Sequence, residues 1–372
     1  MIPFIDLQAQ RRRLGDRLTN AINAAVEGGQ WIMGPQVQAL EAQLAEFAGV
    51  KHAIACANGT DALLIVLRAW GIGPGDAVFV PAFTFAASAE VVALVGASPV
   101  FVDVLEDTFN MDPASLEAAI ALVRREGTLV PRAVMPVDLF GQPADYRSLE
   151  PIVAREKLKM LCDAAQGFGG LLDGRRSGGI GDAASTSFFP AKPLGCFGDG
   201  GASFTNDDGL AELLRSIRIH GQGTDKYENV RIGVNSRLDT IQAAILIEKL
   251  KIFPEEIELR EAVAQRYGRS FSASNKIRVP RVIEGAQSTW AQYTIQVQDR
   301  AGVQAALKAK EIPTAVYYPI PLSRQKGYAH YPSAPIPVCE RLSKTVVSLP
   351  MHPYLDAATQ DRIIEAVLAA VQ

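Results

Sequence analysis

Apolar positions follow two different periods along the first two-thirds of the chain. Short apolar runs occupy residues 52–58 (HAIACAN), 76–82 (DAVFVPA) and 98–104 (SPVFVDV), and helical patterns lie between them at 60–70 and 88–97. Further apolar runs continue this order at 157–164, 183–189 and 201–206. Near-continuous apolar strands that alternate with helices are typical of a mainly parallel sheet covered on both faces. The pattern therefore predicts an α/β fold.

The pattern changes near Asn235. Residues 236–253 form a long helical stretch, which Pro254 is expected to end or kink. The rest of the chain alternates again, with a helical run at 255–271, a strand at 292–298, a helix at 300–310, a strand at 314–319 and a closing amphipathic helix. We therefore predict a large domain over residues 1–250 and a small α/β domain over 251–372.

The composition excludes several classes of protein. The 372 residues carry 37 Lys and Arg against 40 Asp and Glu, so no basic excess favours nucleic acid or an anionic membrane as a partner. Four scattered cysteines lack the spacing of a zinc site and do not form a disulfide scaffold, which favours a reducing compartment and no bound metal. The chain shows no signal-peptide pattern and no apolar run of roughly 18 residues. We expect a soluble, cytoplasmic protein.

Two candidate ligand-binding features follow predicted strands, and each also has a structural explanation. Gly59 and Thr60 begin a helix directly after a strand. Amides at a helix N-terminus bind anions such as phosphate, although most such starts are only caps. Asp163 ends an apolar strand, at the edge where open α/β sheets bind ligands. A carboxylate there would hold a protonated ring nitrogen, but taken alone it is more often a helix cap or a surface acid.

A third candidate is Lys192, in the glycine-rich segment SFFPAKPLGCFGDGG (187–201). Such a segment packs poorly as a helix or a central strand, but it allows the backbone to approach a ligand closely. A lysine held there with reduced solvation would serve as a Schiff-base nucleophile, whereas most loop lysines are simply solvated. The three features occur in the order phosphate turn, acid at a strand end and, 29 residues later, lysine.

This order is the layout of a fold-type I pyridoxal-phosphate enzyme, and longer motifs make the resemblance specific. They are PFIDLQAQ (3–10), GQWIMGPQVQALEAQLAEFAGVKHA (29–53), CANGTDAL (56–63), PAFTFAASAE (81–90), DAAQGFGG (163–170), SFFPAKPLGCFGDGG (187–201), GVNSRLDTIQAAIL (233–246), YYPIPL (317–322) and SLPMHPYL (348–355). With these motifs the chain resembles the DegT/DnrJ/EryC1 sugar aminotransferases over essentially its whole length. Residues 186–202, 231–246 and 314–322 are most similar to enzymes that aminate C3 of a UDP-linked 3-keto-N-acetylglucosaminuronic acid.

The resemblance implies a fold-type I, aspartate aminotransferase-like fold with pyridoxal phosphate as cofactor. Lys192 would form the Schiff base and move protons, and Asp163 would pair with the pyridine nitrogen so that the ring acts as an electron sink. Gln166 would lie beside the phenolic oxygen of the ring. The remaining cofactor contacts implied are Gly59, Thr60 and Ser187 at the phosphate, Phe85 stacked on the ring, and Asn235 reaching the phosphate from the neighbouring subunit of a homodimer.

Six further residues are weaker candidates for substrate binding. Arg237, Arg218 and His220 are placed to meet a carboxylate, while Tyr317, Tyr318 and His352 lie in segments that help bind the nucleotide-sugar in the family. For each of them a structural role is the alternative.

The chain also departs from the family pattern in three places. Gly167 stands where many relatives have Ser, and Tyr317 stands where close relatives often have His. Residues 121–134 look longer than usual, and we expect a surface loop there. Some relatives with His at the position of Lys192 are dehydratases, so the lysine of this chain favours amino transfer.

The expected activity is transfer of an amino group from L-glutamate to C3 of the keto-uronic acid, for bacterial surface polysaccharide such as O-antigen. The donor and the keto-sugar would react in two alternating half-reactions, which implies ping-pong kinetics. One alternative is C4 amination of a dTDP- or UDP-4-keto-6-deoxy sugar, which needs the same catalytic residues. Another is a regulator that binds pyridoxal phosphate without turnover. A structural α/β protein with no cofactor would leave the lysine segment unexplained.

Overall fold

The computed structural model describes residues 2–225 and 227–371, and in that part of the chain the backbone forms twelve strands and thirteen α-helices. The strands are β1 (His52–Cys56), β2 (Asp76–Pro81), β3 (Ser98–Val102), β4 (Val130–Val134), β5 (Lys159–Asp163), β6 (Leu171–Leu172), β7 (Arg175–Arg176), β8 (Ala183–Ser187), β9 (Gly201–Thr205), β10 (Ala286–Gln287), β11 (Tyr293–Gln296) and β12 (Val346–Leu349).

The helices are α1 (Leu7–Leu14), α2 (Asp16–Glu27), α3 (Pro35–Ala48), α4 (Gly59–Ala69), α5 (Ala87–Leu94), α6 (Pro113–Glu126), α7 (Tyr146–Glu156), α8 (Asp208–Ile217), α9 (Thr240–Leu250), α10 (Phe253–Phe271), α11 (Arg300–Ala309), α12 (Pro337–Thr345) and α13 (Ala357–Ala370). Short 3₁₀ helices cover Leu139–Gly141 and Leu322–Arg324. Among these described helices, none has the length and apolar character needed to cross a membrane.

The central sheet has seven strands in the order β1-β9-β8-β5-β4-β2-β3. The pairs β2/β3, β2/β4, β4/β5 and β5/β8 are parallel, while β9 is antiparallel to both of its neighbours. Strands β1, β2, β5 and β8 therefore point the same way and end at the same edge. The prediction of a mainly parallel sheet is confirmed.

Helices cover both faces of this sheet because side chains on successive strand positions point to opposite sides. In β2, Phe79 packs in a cluster with residues of α3, α6, α7 and α9, whereas Val78 and Val80 pack with residues of α4, α5 and α8. All three side chains are fully buried. This two-sided burial explains why the strands read as continuous apolar runs in the sequence.

The C-terminal part of the chain has its own hydrophobic cluster, built from α10, α11, α13 and the antiparallel pair β11/β12. The N-terminal Ile2 also packs there. Helix α10 joins the two regions, because Phe253 packs in the large-domain cluster and Phe271 packs in the C-terminal one. Residues 322–346 contribute to the large-domain core as well. The division at residues 250 and 251 stays a prediction, and the packing on either side of it is interleaved.

Three local predictions differ from the structure. The expected strand at 314–319 is a single bridge from Ala315 to Ser348, because the chain then leaves the sheet and carries Tyr317 toward the central cavity. Residues 121–134 are not a surface loop but the end of α6 and all of β4, joined by three residues. The helix expected at 236–253 covers only Thr240–Leu250. Pro254 lies in the first turn of the next helix, where its missing N–H costs nothing.

A buried carboxylate joins the loops that follow β4 and β5. The amide of Asp138 donates to the carbonyl of Asp163 (3.0 Å), and its carboxylate accepts from the Tyr146 hydroxyl (2.6 Å), the Ala144 amide (2.9 Å) and the Ser177 hydroxyl. A Cβ added at Gly167 would collide with the Cβ of Asp138. This contact gives a packing reason for glycine at the position where many relatives have Ser.

We expect Gly167→Ala to destabilise the protein by about 1–3 kcal/mol, because the added methyl group overpacks the Asp138 contact. The matched control is Gly268→Ala in α10, where the nearest atom to a new Cβ is the Tyr293 hydroxyl at 3.7 Å. Alanine is favoured over glycine inside a helix, so this control should be neutral or slightly stabilising. Urea unfolding of both variants checks the prediction, and equal stability of the two would contradict it.

Candidate active site

A cavity of about 710 Å³ opens where the strands of the central sheet end. Its walls come from the start of α4, the turns after β2, β5 and β8, and residues 317–318 between α11 and β12. The lining residues are Asn58, Gly59, Thr60, Asp61, Leu63, Thr84, Phe85, Ala87, Val137, Asp163, Ala165, Gln166, Ser187, Phe189, Ala191, Lys192, Asp199, Gln292, Tyr317 and Tyr318. The structure thus brings together nine of the predicted site residues from five separate stretches of sequence.

One end of the cavity is the N-terminus of α4. The Asn58 side chain caps this helix by accepting from the Asp61 amide at 2.8 Å, which leaves the amides of Gly59 and Thr60 without intrahelical partners. A Cβ at Gly59 would lie 2.6 Å from the Cβ of Ser187, so only glycine allows the helix start to approach the Ser187 hydroxyl so closely. Amides, hydroxyls and a helix dipole together suit a phosphate group.

Asp163 lines the cavity at the carboxyl end of β5, and its side chain is buried. Its Oδ2 accepts from the Ser88 hydroxyl at 2.8 Å and its Oδ1 accepts from the Ala165 amide at 3.1 Å. Burial raises the pKa of the Asp163 carboxyl, while these two hydrogen bonds and the charge of Lys192 lower it. The carboxylate is held in one orientation with lone pairs left for a ligand.

Lys192 lies in the turn after β8, where its amide donates to the carbonyl of Phe189 at 2.8 Å. Burial lowers the pKa of the Lys192 ammonium, and the Asp163 carboxylate partly offsets this. The glycines that follow are also required by the chain's own packing, and their role in making room for a ligand stays a prediction. A Cβ at Gly195 would lie 2.5 Å from the carbonyl oxygen of Pro190, and a Cβ at Gly201 would collide with the carbonyl of Asn58.

Gln166 and Tyr318 form one wall together. The Gln166 Oε1 accepts from the Phe140 amide at 2.7 Å, and its Nε2 donates to the Tyr318 hydroxyl at 3.2 Å. Phe85 is more than half exposed at the cavity mouth, and its ring lies 6.4 Å from that of Tyr318. Tyr317 completes this aromatic side.

The other predicted residues lie outside the cavity of this chain. Asn235 and His220 are exposed and Arg237 is half-buried, with its Nε donating to the Asn235 Oδ1 at 2.9 Å. Arg218 is buried in an ion pair with Glu41 and donates to the carbonyl of Ala55, so it has a structural partner. Its proposed role at a carboxylate has no support from its position in this chain.

His352 is buried in the C-terminal region, and neither ring nitrogen has a hydrogen-bond partner among the described residues. Burial, followed by the charge of Arg260, lowers the pKa of His352 to about 4, and Asp6 and Asp356 act in the opposite direction. The ring does not line the cavity.

Three residues that the sequence pattern did not single out also lie in the cavity wall or contact Asp163. Ser88 and Thr84 stand behind Asp163, and both belong to the quoted motif PAFTFAASAE, four positions apart as on one side of a helix. Gln292 also lines the cavity, and its backbone N–H donates to the carbonyl of Phe140 at 3.2 Å. Its side-chain Oε1 is buried and has no hydrogen-bond partner among the described residues. Nothing in its strand pattern marks this glutamine as different from its neighbours.

These residues fit pyridoxal phosphate. The α4 terminus suits the phosphate, Asp163 suits a protonated ring nitrogen, and Lys192, with its lowered pKa, suits a Schiff base. The glycine at position 59 is required by the close approach of Ser187. Among the described residues there is no group of three or more metal-ligating side chains that would hold a metal ion.

Comparison with known proteins supports the same assignment. A family model described as the DegT/DnrJ/EryC1/StrS aminotransferase family matches residues 12–368. The chain belongs to this family. This aminotransferase is 50% identical over 359 residues, 96% of its length and 97% of the relative's, to the UDP-2-acetamido-2-deoxy-3-oxo-D-glucuronate aminotransferase of Pseudomonas aeruginosa. It is also 40% identical to a pleiotropic regulatory protein of Geobacillus stearothermophilus, over 98% of this chain and 97% of that one.

Solved structures agree with the fold. A DegT DnrJ EryC1 StrS aminotransferase from Brucella abortus superposes with a TM-score of 0.98 at 53% identity and covers both chains completely. NtdA of Bacillus subtilis, solved with bound cofactor PMP, has a TM-score of 0.89 at 30% identity and covers 100% of this aminotransferase and 85% of its own chain. The predicted family and the predicted fold-type I class are confirmed, and the cofactor of the NtdA structure supports the predicted one.

The position of His352 gives this aminotransferase a pH-dependent stability. The unfolded chain takes up a proton below a pKa of 6.5, whereas the folded chain resists it until about 4. His352 therefore contributes stability above pH 6.5 that is lost as the pH falls toward 4.

We expect the unfolding free energy of the wild type to fall by about 2 kcal/mol more than that of His352→Phe between pH 7.5 and pH 5. Urea unfolding at the two pH values measures this difference. The control His330→Asn, at an exposed histidine, should follow the wild type. The structural role would be contradicted if His352→Phe kept the pH dependence of unfolding seen in the wild type. It would equally be contradicted if the variant raised the KM for the sugar while keeping that pH dependence.

Proposed function

We propose that this aminotransferase moves an amino group from L-glutamate to C3 of a UDP-linked 3-keto-N-acetylglucosaminuronic acid, using pyridoxal phosphate. The observation that carries the proposal is the half-buried Lys192 facing the buried carboxylate of Asp163, in a cavity that ends at the N-terminus of α4. The relative from Pseudomonas aeruginosa, which is 50% identical and is named for the corresponding keto-uronic acid, supports this choice of substrate. Its product would serve bacterial surface polysaccharide, and the cytoplasm suits a nucleotide-sugar enzyme with four buried thiols.

When bound, the cofactor supplies an electron sink next to the bond that loses its proton. The chain's own residues do the rest. Asp163 would pair a negative charge with the ring nitrogen, and the Gly59, Thr60 and Ser187 donors would hold the phosphate. Since burial lowers the pKa of Lys192, its amine is more readily neutral than a solvated lysine, and it can accept a proton from the donor and return it to the product.

The charges in the cavity support a homodimer with shared active sites. Within the described part of the chain, the charged residues lining it are three carboxylates, Asp61, Asp163 and Asp199, and one ammonium, Lys192. A phosphate, a nucleotide diphosphate and two carboxylate-bearing substrates need more positive charge than this. We propose that Asn235 and Arg237 supply contacts to the cavity of a second copy, with arginine suited to a carboxylate.

The surface around these two residues is unusually apolar. Trp31 and Phe197 lie at the start of α9, which follows these two residues in the chain: the Thr240 amide donates to the carbonyl of Trp31 at 2.9 Å, and the Phe197 amide donates to the Gln242 side chain at 2.8 Å. Exposed apolar residues of this region are Trp31, Ile32, Phe197, Tyr227, Val230 and Ile232. Such patches mark protein interfaces.

Two other functions remain as alternatives. C4 amination of a dTDP- or UDP-4-keto sugar would use the same Lys192 and Asp163, and only the keto-sugar accepted separates it from the proposal. A regulator without turnover is suggested by the name of the Geobacillus stearothermophilus relative. Retention of the lysine and the acid in one cavity favours an enzyme.

The first experiment is an absorption spectrum of the purified protein with pyridoxal phosphate, before and after L-glutamate. We expect the band of the lysine-bound cofactor to be replaced by that of pyridoxamine phosphate, and the correct keto-sugar to restore it. Lys192→Ala should lower turnover by at least about a thousandfold while still binding some cofactor. Lys308→Ala, at an exposed lysine of α11, is the control. Normal turnover in Lys192→Ala, or a wild-type band unmoved by glutamate, would contradict the proposal.

Shared sites are tested by subunit complementation. Lys192→Ala and the double variant Asn235→Ala/Arg237→Ala are each expected to be inactive alone. Coexpressed in equal amounts, they should recover about a quarter of wild-type activity, because half of the dimers are mixed and each mixed dimer has one intact site. No recovery, together with mixed dimers present by mass spectrometry, would rule out a site built from two subunits.

A further inference from the structure

Two hydroxyl groups lie behind the carboxylate of Asp163. Ser88, in the first turn of α5, is completely buried, and its Oγ lies 2.8 Å from the Oδ2 of Asp163. Thr84 is 2% exposed, lines the cavity, and places its Oγ1 3.1 Å from the Ser88 Oγ. These contacts form a line from the cavity wall, through the helix start, to Asp163.

The number of available protons gives this line a direction. An ionised carboxylate only accepts, so the one hydroxyl proton of Ser88 goes to Asp163. Ser88 then has lone pairs left but no proton, and its contact with Thr84 requires the threonine to donate. The order is Thr84 to Ser88 to Asp163, and in a buried site each hydrogen bond polarises the next.

We propose that Thr84 and Ser88 are positioning residues that keep Asp163 ionised and aimed at the cofactor, so that the ring nitrogen rather than the carboxylate holds the shared proton. This inference rests on the proposed function, since it concerns the same site. A buried carboxylate would otherwise favour its protonated form. A protonated Asp163 could not stabilise a positive ring, and the electron sink would weaken.

The other charged and titratable groups near Asp163 cannot replace this pair. Lys192 faces it and favours the ionised form, but the charge of this lysine changes during the reaction, because it is in turn a Schiff base that titrates with pH and a neutral amine that accepts a proton. Asp138 is a neighbouring buried carboxyl, and because like charges repel it cannot favour the ionised form of Asp163. Tyr318 is a neutral phenol whose hydroxyl accepts from Gln166. Beside the Ala165 amide, Ser88 is thus a donor that stays in place throughout the reaction.

The test uses the loaded enzyme and follows the absorption band of the cofactor attached to Lys192 as the pH is changed. Ser88→Ala should let the shared proton move toward Asp163, which makes the ring less positive and the Schiff-base nitrogen more basic. We expect the titration midpoint to rise by at least roughly half a pH unit. The rate of the glutamate half-reaction should fall about tenfold.

Thr84 provides the sharper measurement because it acts through Ser88. Thr84→Val should raise the titration midpoint by less than Ser88→Ala does. Thr84→Ser, which keeps the hydroxyl, should have the midpoint of the wild type. In a Ser88→Ala background, Thr84→Val should add nothing, so the two effects are not additive. Were Thr84 to contact the cofactor directly, the double variant would show the sum of the two shifts.

Unfolding of the cofactor-free proteins separates this role from a purely structural one. Lower stability with an unchanged titration midpoint in both Ser88→Ala and Thr84→Val would overturn the inference, and so would additive shifts. If Ser88→Ala does not fold, the pair Thr84→Val and Thr84→Ser decides by itself. Failure of the proposed function is seen separately, as a wild-type protein whose absorption band glutamate leaves unmoved.

Discussion

The structure depends on placing a carboxylate and an ammonium in the same buried cavity without letting them neutralise each other. Burial pushes the pKa of Asp163 up and that of Lys192 down, and the attraction between them opposes both changes. A tight ion pair would leave neither group available for a ligand. The chain avoids this by fixing the carboxylate with its own donors, at Ser88 and the Ala165 amide, and by holding the lysine in a separate turn.

The fold supplies the positions at which such a pair can be held. Because β1, β2, β5 and β8 end at one edge, the helix start at Gly59, the hydroxyls near Thr84, the acid at Asp163 and the turn at Lys192 come together from distant parts of the sequence. Asp138 then couples two of these turns, since its backbone bonds to Asp163 while its carboxylate holds the following loop. Glycine is needed at positions 59 and 167 because a Cβ there would collide with Ser187 and Asp138, respectively.

Much of this could be predicted from the sequence. Apolar runs located the main strands because they are buried on both faces, and the order of Gly59, Asp163 and Lys192 indicated the site. The roles implied for Lys192 and Gln166 come from the family resemblance. What could not be predicted depends on partners distant in sequence. The segment at 314–319 has the composition of a strand, yet it makes only one bridge to β12, at Ala315, before the chain turns into the cavity.

Ser88 and Gln292 show the same limit at the level of single side chains. A serine in the first turn of an apolar helix has no pattern that distinguishes it from a packing residue, and its meaning appears only when Asp163 lies 2.8 Å away. The same holds for charge. No sequence pattern reveals that, among the described residues, three carboxylates and one ammonium line the cavity, yet this imbalance is the strongest argument for the proposal that one subunit alone does not complete the site. In the proposed dimer, each chain orients its own acid and lysine, and its partner provides the cationic contacts for anionic substrates. Assembly and substrate binding would then depend on the same surface.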